Sequence, residues 1–284
     1  MRQITNFGAS NFRKLLHQAK INKLDFNTLL KRYLQERFLY RLSKSAYKDN
    51  FILKGGLLLV TIDVPASRPT MDIDLLTQKL SSSKIKEVFK EILAIQYQDG
   101  VTFDGDSLQS ELITKDGAYH GTRLKFKAYF NGSKNDMSID LGLGDVVVNP
   151  RTITFPTILN EDAPILTAYS LETIIAEKME AMAKLLHANS RMKDFYDVYT
   201  ILHTYSLSEE SLIQAINITF KNRQTSLEKL RAVLTPNFYN LDIKQPQWEG
   251  FLKKNKITQV PAEFSQVIAD IALNLPKTFI KEEK

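Results

Sequence analysis

FILKGGLLLVTIDVPASRPTMDIDLL, residues 51–76, is the stretch of sequence that decides the fold. Its first apolar run, Phe51–Lys54, predicts a buried strand, and the glycine pair at 55–56 predicts a turn into a short helix. A second apolar run contains Asp72 and Asp74. Because side chains alternate along a strand, carboxylates at i and i+2 share one face of a sheet. That face is a candidate site for a divalent cation.

The composition is that of an ordinary globular protein with one large domain or two modest ones. The chain has 284 residues, of which 43% are hydrophobic and 25% are charged. It has no apolar run of about 18 residues, and its N-terminus lacks the hydrophobic core of a signal peptide, so neither a membrane span nor secretion is predicted. With no cysteine, disulfides and thiolate metal sites are excluded. We therefore expect a cytoplasmic protein without a membrane partner.

The net charge of +6 is concentrated near the N-terminus. Residues 1–48 contain eleven lysines and arginines against two acids. A basic segment beside a carboxylate site indicates a polyanionic partner such as RNA or a triphosphate. Arg32, Arg37 and Arg41, in the amphipathic helix predicted over residues 26–45, are the candidate RNA contacts. The alternative is a solvated helix face that binds nothing.

Strand and helix patterns divide the chain into two predicted domains, 1–164 and 165–284. In the first domain a helix follows the serines at 81–83, and the segments rich in β-forming residues are 107–113, 121–130, 137–143 and 152–157. Asn131-Gly132 is a hairpin-turn signal between two of these strands. In the second domain helical spacing covers 170–187, 191–203 and 208–223. The predicted fold class is α/β (α+β): a core with a mixed sheet and N-terminal helices, followed by a C-terminal helical domain.

A third acid belongs to the predicted carboxylate site. Asp140 lies on a later β-segment, but Asp136 and Asp145 are close in sequence, and a register error of one residue changes which acid faces the site. Mg²⁺ prefers hard oxygen ligands, so we expect Asp72, Asp74 and Asp140 to bind it.

This arrangement suits nucleotidyl transfer. Negative charge gathers on the α-phosphate, the acceptor hydroxyl loses its proton, and pyrophosphate leaves. Two Mg²⁺ ions roughly 3.5–4 Å apart can serve both the attacking and the leaving oxygen. The glycine turn fits the same reaction, because backbone amides there can approach a phosphate without a Cβ in the way.

Part of the sequence resembles the nucleotidyltransferase superfamily with the DNA polymerase β-like core. The motifs that carry this resemblance are LKGG (53–56) and R-x-T-x-D-I-D (68–74), followed by a third aspartate on a strand. The flanking motifs resemble one branch of this superfamily, the AbiEii/AbiGii abortive-infection toxins, which are related to the MenT toxins. These motifs are ERFLYRLSKS (36–45), AEKMEAM (176–182) and RMKDFYDVY (191–199). The resemblance runs from about Tyr33 to Tyr199.

The resemblance implies an Mg²⁺-dependent nucleotidyltransferase toxin of a toxin-antitoxin or antiphage abortive-infection system. Such an enzyme transfers a nucleoside monophosphate from an NTP, with GTP and the pyrimidine NTPs as candidates, to an RNA acceptor, expected to be tRNA. The modification blocks translation and growth. The resemblance also implies a cognate antitoxin as a partner.

Site roles follow from the same resemblance. Asp72 and Asp74 become the metal-binding pair, and Asp140 helps to activate the acceptor hydroxyl. Lys178 and Asp194 match the later motifs of the family, with Lys178 neutralising triphosphate charge. Further nucleotide contacts are expected from residues in the motifs around the glycine turn and the aspartate pair: Lys54, Gly55, Gly56, Arg68 and Thr70. The superfamily often has Gly-Ser in place of the glycine pair, so a serine hydroxyl contact is missing here.

Each assignment has an ordinary structural alternative. Asp72 and Asp74 could pair with Arg68, and Lys178 could form a surface ion pair with neighbouring glutamates on its helix. Asp194 could cap its helix or pair with a nearby basic residue. At the level of function, the alternatives are a non-catalytic nucleotide- or RNA-binding protein and a protein AMPylase that uses the same metal site.

Overall fold

The computed structural model describes residues 6–62, 70–77, 80–115 and 119–280. The strands are β1 (Phe51–Lys54), β2 (Ile73–Thr77), β3 (Val101–Lys115), β4 (Tyr119–Phe130), β5 (Ser133–Leu143), β6 (Arg151–Thr154) and β7 (Ile165–Ala168). The helices are α1 (Phe7–Ile21), α2 (Phe26–Lys44), α3 (Gly55–Leu58), α4 (Ser82–Ala94), α5 (Leu171–Leu185), α6 (Met192–Thr204), α7 (Glu209–Asn222), α8 (Leu227–Val233), α9 (Pro236–Tyr239), α10 (Lys244–Asn255) and α11 (Phe264–Leu273).

The strands form one mixed sheet in the order β3-β4-β5-β2-β1-β7-β6. The β2–β5 and β1–β7 pairs are parallel, whereas the β1–β2, β3–β4, β4–β5 and β6–β7 pairs are antiparallel. The predicted α/β fold class with a mixed sheet is confirmed. Strand β7, which has only four residues, was not predicted.

The chain forms two compact units. In the described residues, the first unit contains the whole sheet and the helices α1 to α4, and it comprises residues 6–62, 70–77, 80–115, 119–144 and 151–168. The second unit contains the helices from α5 onward together with the segment between β5 and β6, and it comprises residues 145–150 and 169–280.

Helices α2 and α4 cover one face of the sheet. The Asp25 carboxylate caps α2 by accepting the backbone N–H of Thr28 at 2.7 Å. Along α2, Phe38 stacks on Phe89 of α4, with ring centroids 6.2 Å apart, and it packs against Phe126 of β4 at 5.8 Å. Apolar residues at helical spacing on α2 therefore meet apolar residues at alternate positions on the strands.

The hairpin between β4 and β5 turns at Asn131 and Gly132, as predicted. Both residues have positive φ, 46° and 79°, as the common two-residue turn of twisted hairpins requires. The turn places Phe130 opposite Ser133, and the pairing continues without a shift to Gly121 opposite Gly142. The turn therefore sets the positions of all side chains along both strands.

Two arginines of α2 are buried in ion pairs. Arg41 is 1% exposed, and its guanidinium bonds both carboxylate oxygens of Asp99 at 2.7 and 3.0 Å. Arg37 is 0% exposed and pairs with Glu36 at 2.9 Å and Glu161 at 3.1 Å.

The third candidate RNA contact, Arg32, lies against the ring of Phe155, 4.7 Å from its centroid. The interpretation of Arg32, Arg37 and Arg41 as an RNA-contacting face is therefore wrong for Arg37 and Arg41. Their charges are matched within the first unit and removed from water. Part of the N-terminal excess of positive charge thus serves the packing of α2.

No helix within the described residues combines the length and the apolar character that crossing a bilayer would require.

Candidate active site

One face of the sheet carries a row of charged side chains across four neighbouring strands. In register, Lys54 of β1 lies beside Asp74 of β2, Asp74 beside Asp140 of β5, and Asp140 beside Arg123 of β4. Residues in register on adjacent strands point to the same face. The two acids therefore lie next to each other, with a cation on either side.

The neighbouring row, displaced by one residue, is apolar and points to the opposite face. Leu53, Leu75 and Leu141 are in register on β1, β2 and β5, and each is at most 1% exposed. This packing fixes the register, because a slip of one residue would bury the aspartates and expose the leucines. The apolar core thereby keeps Asp74 and Asp140 side by side.

The glycine turn closes over the Asp74 side chain. Gly55 has φ +71°, and a Cβ built on it would lie 2.2 Å from Oδ2 of Asp74. Only glycine permits this approach, because a side chain at this position would be strained as well as overlapped. Gly55 and Gly56 begin the four-residue helix α3, so the predicted strand–turn–helix is present. Their contact with a phosphate stays a prediction.

Asp72 lies just before β2 and is half-buried. Two side chains of α2 reach this segment. The side-chain amide of Gln35 donates to the backbone carbonyl of Thr70 at 3.2 Å. Burial lowers the pKa of Lys31, and the charges of Asp72 and Asp136 oppose that change. The start of β2 is thus held by α2 from within the first unit.

Arg123 grips Asp140 with two parallel hydrogen bonds. Its Nε donates to Oδ1 at 2.7 Å and its Nη2 donates to Oδ2 at 2.9 Å. Asp140 is 5% exposed, whereas the Arg123 side chain is 33% exposed. These hydrogen bonds are the largest cause that raises the pKa of Arg123 above its ordinary value, and the charges of Asp140, Asp72 and Glu111 act in the same direction.

The structure separates the three candidates for the third acid. The Asp136 side chain is 84% exposed and pairs with Lys127. Asp145 lies in the second unit, where Arg223 bonds its two oxygens at 3.2 and 3.0 Å. Asp140 alone of the three is in register with Asp74.

The carboxylates suit Mg²⁺ in their chemistry. Mg²⁺ takes hard oxygen ligands and is commonly held by one or two carboxylates together with substrate phosphates. Asp74 on β2 and Asp72, one residue before the strand, are the candidate pair. Asp140 is gripped by Arg123, and in the part of the chain that the structure describes no three acids or histidines are grouped so that they could hold a metal. The residues therefore fit a cation held first by Asp72 and Asp74.

A second polar cluster lies within the second unit, where α5 meets α6. Lys178 of α5 donates to Asp194 of α6 at 2.9 Å and to Asp197 at 2.6 Å. Burial of Asp194 would raise its pKa, but the Lys178 ammonium outweighs this effect and holds the pKa below its ordinary value. The structure thus brings Lys178 and Asp194 together. These two ion pairs join Lys178 to the neighbouring helix, and the Lys178 side chain is 13% exposed.

Next to Lys178 along α5, acidic side chains surround Arg223, which follows α7. Its guanidinium contacts Glu177 at 2.9 Å and Glu180 at 2.9 Å, in addition to Asp145. Glu177 also accepts a hydrogen bond from the Tyr169 hydroxyl at 3.0 Å. These contacts tie α5 to the segment that follows β5 and fix the helix that carries Lys178.

The remaining predicted contacts are placed as follows. Lys54 ends β1 in the charged row, and Thr70 is bound through its carbonyl to Gln35. Arg68 lies outside the described residues. The assembly of Lys178 and Asp194 with the carboxylates of the first unit into a single site stays a prediction.

A family model matches most of the chain. The model for the nucleotidyl transferase AbiEii toxin, of type IV toxin-antitoxin systems, matches residues 37–270. The chain belongs to the AbiEii family. The predicted resemblance is confirmed, and the match extends through the helices of the second unit as far as α11.

Two solved structures are similar to this chain at low sequence identity. A protein from H. pylori, provisionally assigned as a nucleotidyltransferase, is 12% identical with a TM-score of 0.49, and the match covers 88% of this chain and 94% of that one. The protein JHP933 from Helicobacter pylori is 13% identical with a TM-score of 0.50, and the match covers 88% and 91% of the two chains. None of the curated proteins is similar enough to count as a relative.

Two residues of this AbiEii-family chain were missed by the sequence reasoning as members of the site clusters. Arg123 is not among the predicted site residues, although the Asn131-Gly132 turn predicts its position. Counting back equally along both strands from that turn places 123 opposite 140. Asp197 is not among the predicted site residues, and its spacing of three from Asp194 on one helix is the signal that could have found it.

Proposed function

We propose that this AbiEii-family toxin is an Mg²⁺-dependent enzyme that transfers a nucleoside monophosphate from an NTP to an RNA acceptor, with tRNA as the expected acceptor. The modified RNA no longer serves translation, so growth stops. The proposal places the enzyme in the cytoplasm and in defence against phage, opposed by a cognate antitoxin. One observation carries it: Asp74 and Asp140 lie in register on adjacent strands, with the Gly55 turn against Asp74.

In the proposed reaction, the oxygen of an acceptor hydroxyl attacks the α-phosphorus of the NTP. The bond from the α-phosphorus to the oxygen that bridges to the β-phosphate breaks, and pyrophosphate leaves. Asp140 accepts the proton of the hydroxyl. Asp72 and Asp74 would hold the cation, with two Mg²⁺ ions expected when the substrate is bound. Mg²⁺ would neutralise charge on the triphosphate oxygens as the leaving group departs.

The chain's own cations are assigned to the triphosphate. Lys54 flanks Asp74 in the charged row, and Gly55 and Gly56 begin the helix that follows it. Arg68 and Thr70 complete the proposed nucleotide contacts. Lys178 is proposed to neutralise triphosphate charge while Asp194 holds its ammonium in place, at 2.9 Å in this structure. Removing any of these charges is expected to weaken NTP binding more than it changes the fold of the sheet.

An acceptor screen tests this proposal. Each of the four α-³²P-labelled NTPs is incubated with the protein and Mg²⁺, separately with purified tRNA, total RNA and total protein. We expect label in tRNA with the wild type and none with Asp74→Asn. Asp136→Asn is the matched control, because that carboxylate is 84% exposed on the strand that carries Asp140, and it should label as the wild type does.

The other outcomes identify the alternative functions. Label in protein instead of RNA identifies a protein AMPylase that uses the same carboxylates. NTP binding without label in any acceptor identifies a non-catalytic binding protein. The burial of Arg37 and Arg41 removes one argument for an RNA acceptor. Total protein is therefore tested as a possible acceptor in its own right and not only as a negative control.

A further inference from the structure

The carboxylate proposed as the proton acceptor carries its own counter-cation. Both oxygens of Asp140 are bonded by Arg123, at 2.7 and 2.9 Å, and the residue as a whole is 5% exposed. A bidentate guanidinium–carboxylate pair is among the strongest hydrogen-bonded arrangements in proteins. A cation that approached Asp140 would therefore have to compete with a group of like charge already in position.

The other ion pairs of β4 on this face differ from this one. Lys125 pairs with Glu111 and Lys127 with Asp136, and in both pairs the carboxylate side chain is about half exposed or more, at 48% and 84%. The Asp140 side chain is 6% exposed. Surface pairs of the first kind contribute little to stability. The Arg123 pair instead lies in the row that contains Asp74.

Arg123 is suited to a second partner. Its side chain is one-third exposed, so it can turn without opening the core. The planar guanidinium that fits a carboxylate with two parallel bonds fits a phosphate in the same way, whereas a lysine ammonium acts as a point charge. In the row, Arg123 and Lys54 stand on opposite sides of the two acids. A triphosphate brought in with a cation at the acids would meet a cation on each side.

We propose that Arg123 is a switch residue that holds Asp140 in the ligand-free protein and exchanges it for a phosphate group of the triphosphate when a divalent cation binds. Asp140 is then released to the cation and the acceptor hydroxyl. The inference rests on the proposed function, because it assumes a cation at Asp72 and Asp74. It adds an order of events: the cation and the triphosphate together, and not the cation alone, complete the three-carboxylate site.

The switch can be tested without any turnover by measuring how tightly the full chain binds Mn²⁺. Binding is measured as the loss of the EPR signal of the free ion. In the absence of nucleotide, Arg123→Gln should bind Mn²⁺ about tenfold more tightly than the wild type, because the competing guanidinium is gone. Inorganic tripolyphosphate, which has no base, is the second probe. In the presence of Mn²⁺, Arg123→Gln should bind it about tenfold more weakly, because one phosphate contact is lost.

The matched control is Lys125→Gln, on the same strand and face two residues away, which removes a surface pair and should leave both affinities unchanged. Arg123→Lys keeps the positive charge but cannot make two parallel hydrogen bonds. Its affinities for Mn²⁺ and for tripolyphosphate should lie between those of the wild type and Arg123→Gln. Because Arg123→Gln leaves a buried carboxylate without this partner, Arg123→Gln/Asp140→Asn is included. It should lose the tenfold gain in Mn²⁺ affinity.

Three results would overturn the switch. The first is equal Mn²⁺ affinity in wild type and in folded Arg123→Gln, which leaves the metal site standing and removes only the role of Arg123. The second is a double variant that binds Mn²⁺ as tightly as Arg123→Gln, since Asp140 would then not be the ligand that is released. The third is the absence of Mn²⁺ binding in every variant, with and without tripolyphosphate, which overturns the proposed metal-dependent function together with the switch.

Discussion

Gly55→Ala should slow the reaction strongly and should cost more stability than the same change at a glycine with open space around it. The Cβ of an alanine at 55 would lie 2.2 Å from Oδ2 of Asp74, 1.2 Å short of the 3.4 Å at which ordinary contact begins. The same Cβ would lie 2.6 and 2.7 Å from Cγ and Cβ of Asp74, so the whole side chain must recede. A misplacement of about 1 Å in a reacting group can cost about 100-fold in rate.

Gly132→Ala is the matched control for backbone strain. Gly132 has φ +79°, close to the +71° of Gly55, but a Cβ there meets no heavy atom within 4 Å. Placing an L-residue in the left-handed region costs about 1–2 kcal/mol, and both variants share this cost. Overpacking typically adds about 1–3 kcal/mol, and only Gly55→Ala includes it. The difference between the variants therefore isolates the contact with Asp74.

The assay is the initial rate of NTP labelling, measured beside the free energy of unfolding in urea. We expect Gly132→Ala to keep the wild-type rate and Gly55→Ala to lose about 100-fold. A Gly55→Ala variant that is folded and labels its acceptor at the wild-type rate would refute the reasoning. Either Asp74 would not be held against the turn, or its position would not matter to the reaction.

Three further predictions concern charges buried away from the sheet's acidic pair. Lys178→Met removes the ammonium that two buried aspartates share and should lower the free energy of unfolding by about 1–3 kcal/mol, measured in urea with the labelling rate recorded in parallel. Arg41→Gln should cost about 3–5 kcal/mol, because Asp99 loses its partner, while the salt dependence of RNA binding, measured by fluorescence anisotropy, stays unchanged. Burial raises the pKa of Glu36 from 4.5 to about 7. As pH rises through this range, Glu36 ionises in the unfolded chain before it does so in the folded one, so the wild-type free energy of unfolding should fall by roughly 3 kcal/mol. In Glu36→Gln this fall should be much smaller, as measured by urea unfolding at pH 4.5 and 7.

Much of the site could be predicted because its elements are local. The alternation of apolar and acidic residues at 71–76 is enough to predict the face on which Asp74 lies, although Asp72 falls one residue before β2, and the Asn131-Gly132 turn fixes the register of the next two strands. Asp140 follows from that register once β2 and β5 are known to be neighbours. That adjacency joins segments far apart in sequence. The sequence alone therefore does not decide whether Asp136, Asp140 or Asp145 is the third acid of the site.

The burial of the α2 arginines could not be predicted, for the same reason. Arg41 finds Asp99 58 residues away, and Arg37 finds Asp162 125 residues away through its backbone carbonyl. A run of arginines on a predicted helix has the same spacing whether the side chains face solvent or acids brought in by distant strands. Strand β7 was missed because its four residues, ILTA, are too few to establish an alternating pattern.

The measurement that tests the central claim most directly compares two labels on one NTP. The protein is incubated with Mg²⁺ and acceptor RNA, once with α-³²P-NTP and once with γ-³²P-NTP, and both RNA and released pyrophosphate are analysed. Nucleotidyl transfer predicts α-label in RNA, γ-label in pyrophosphate only, and neither product with Asp74→Asn. Transfer of γ-label to RNA, or α-label in RNA that persists in Asp74→Asn, would contradict the account.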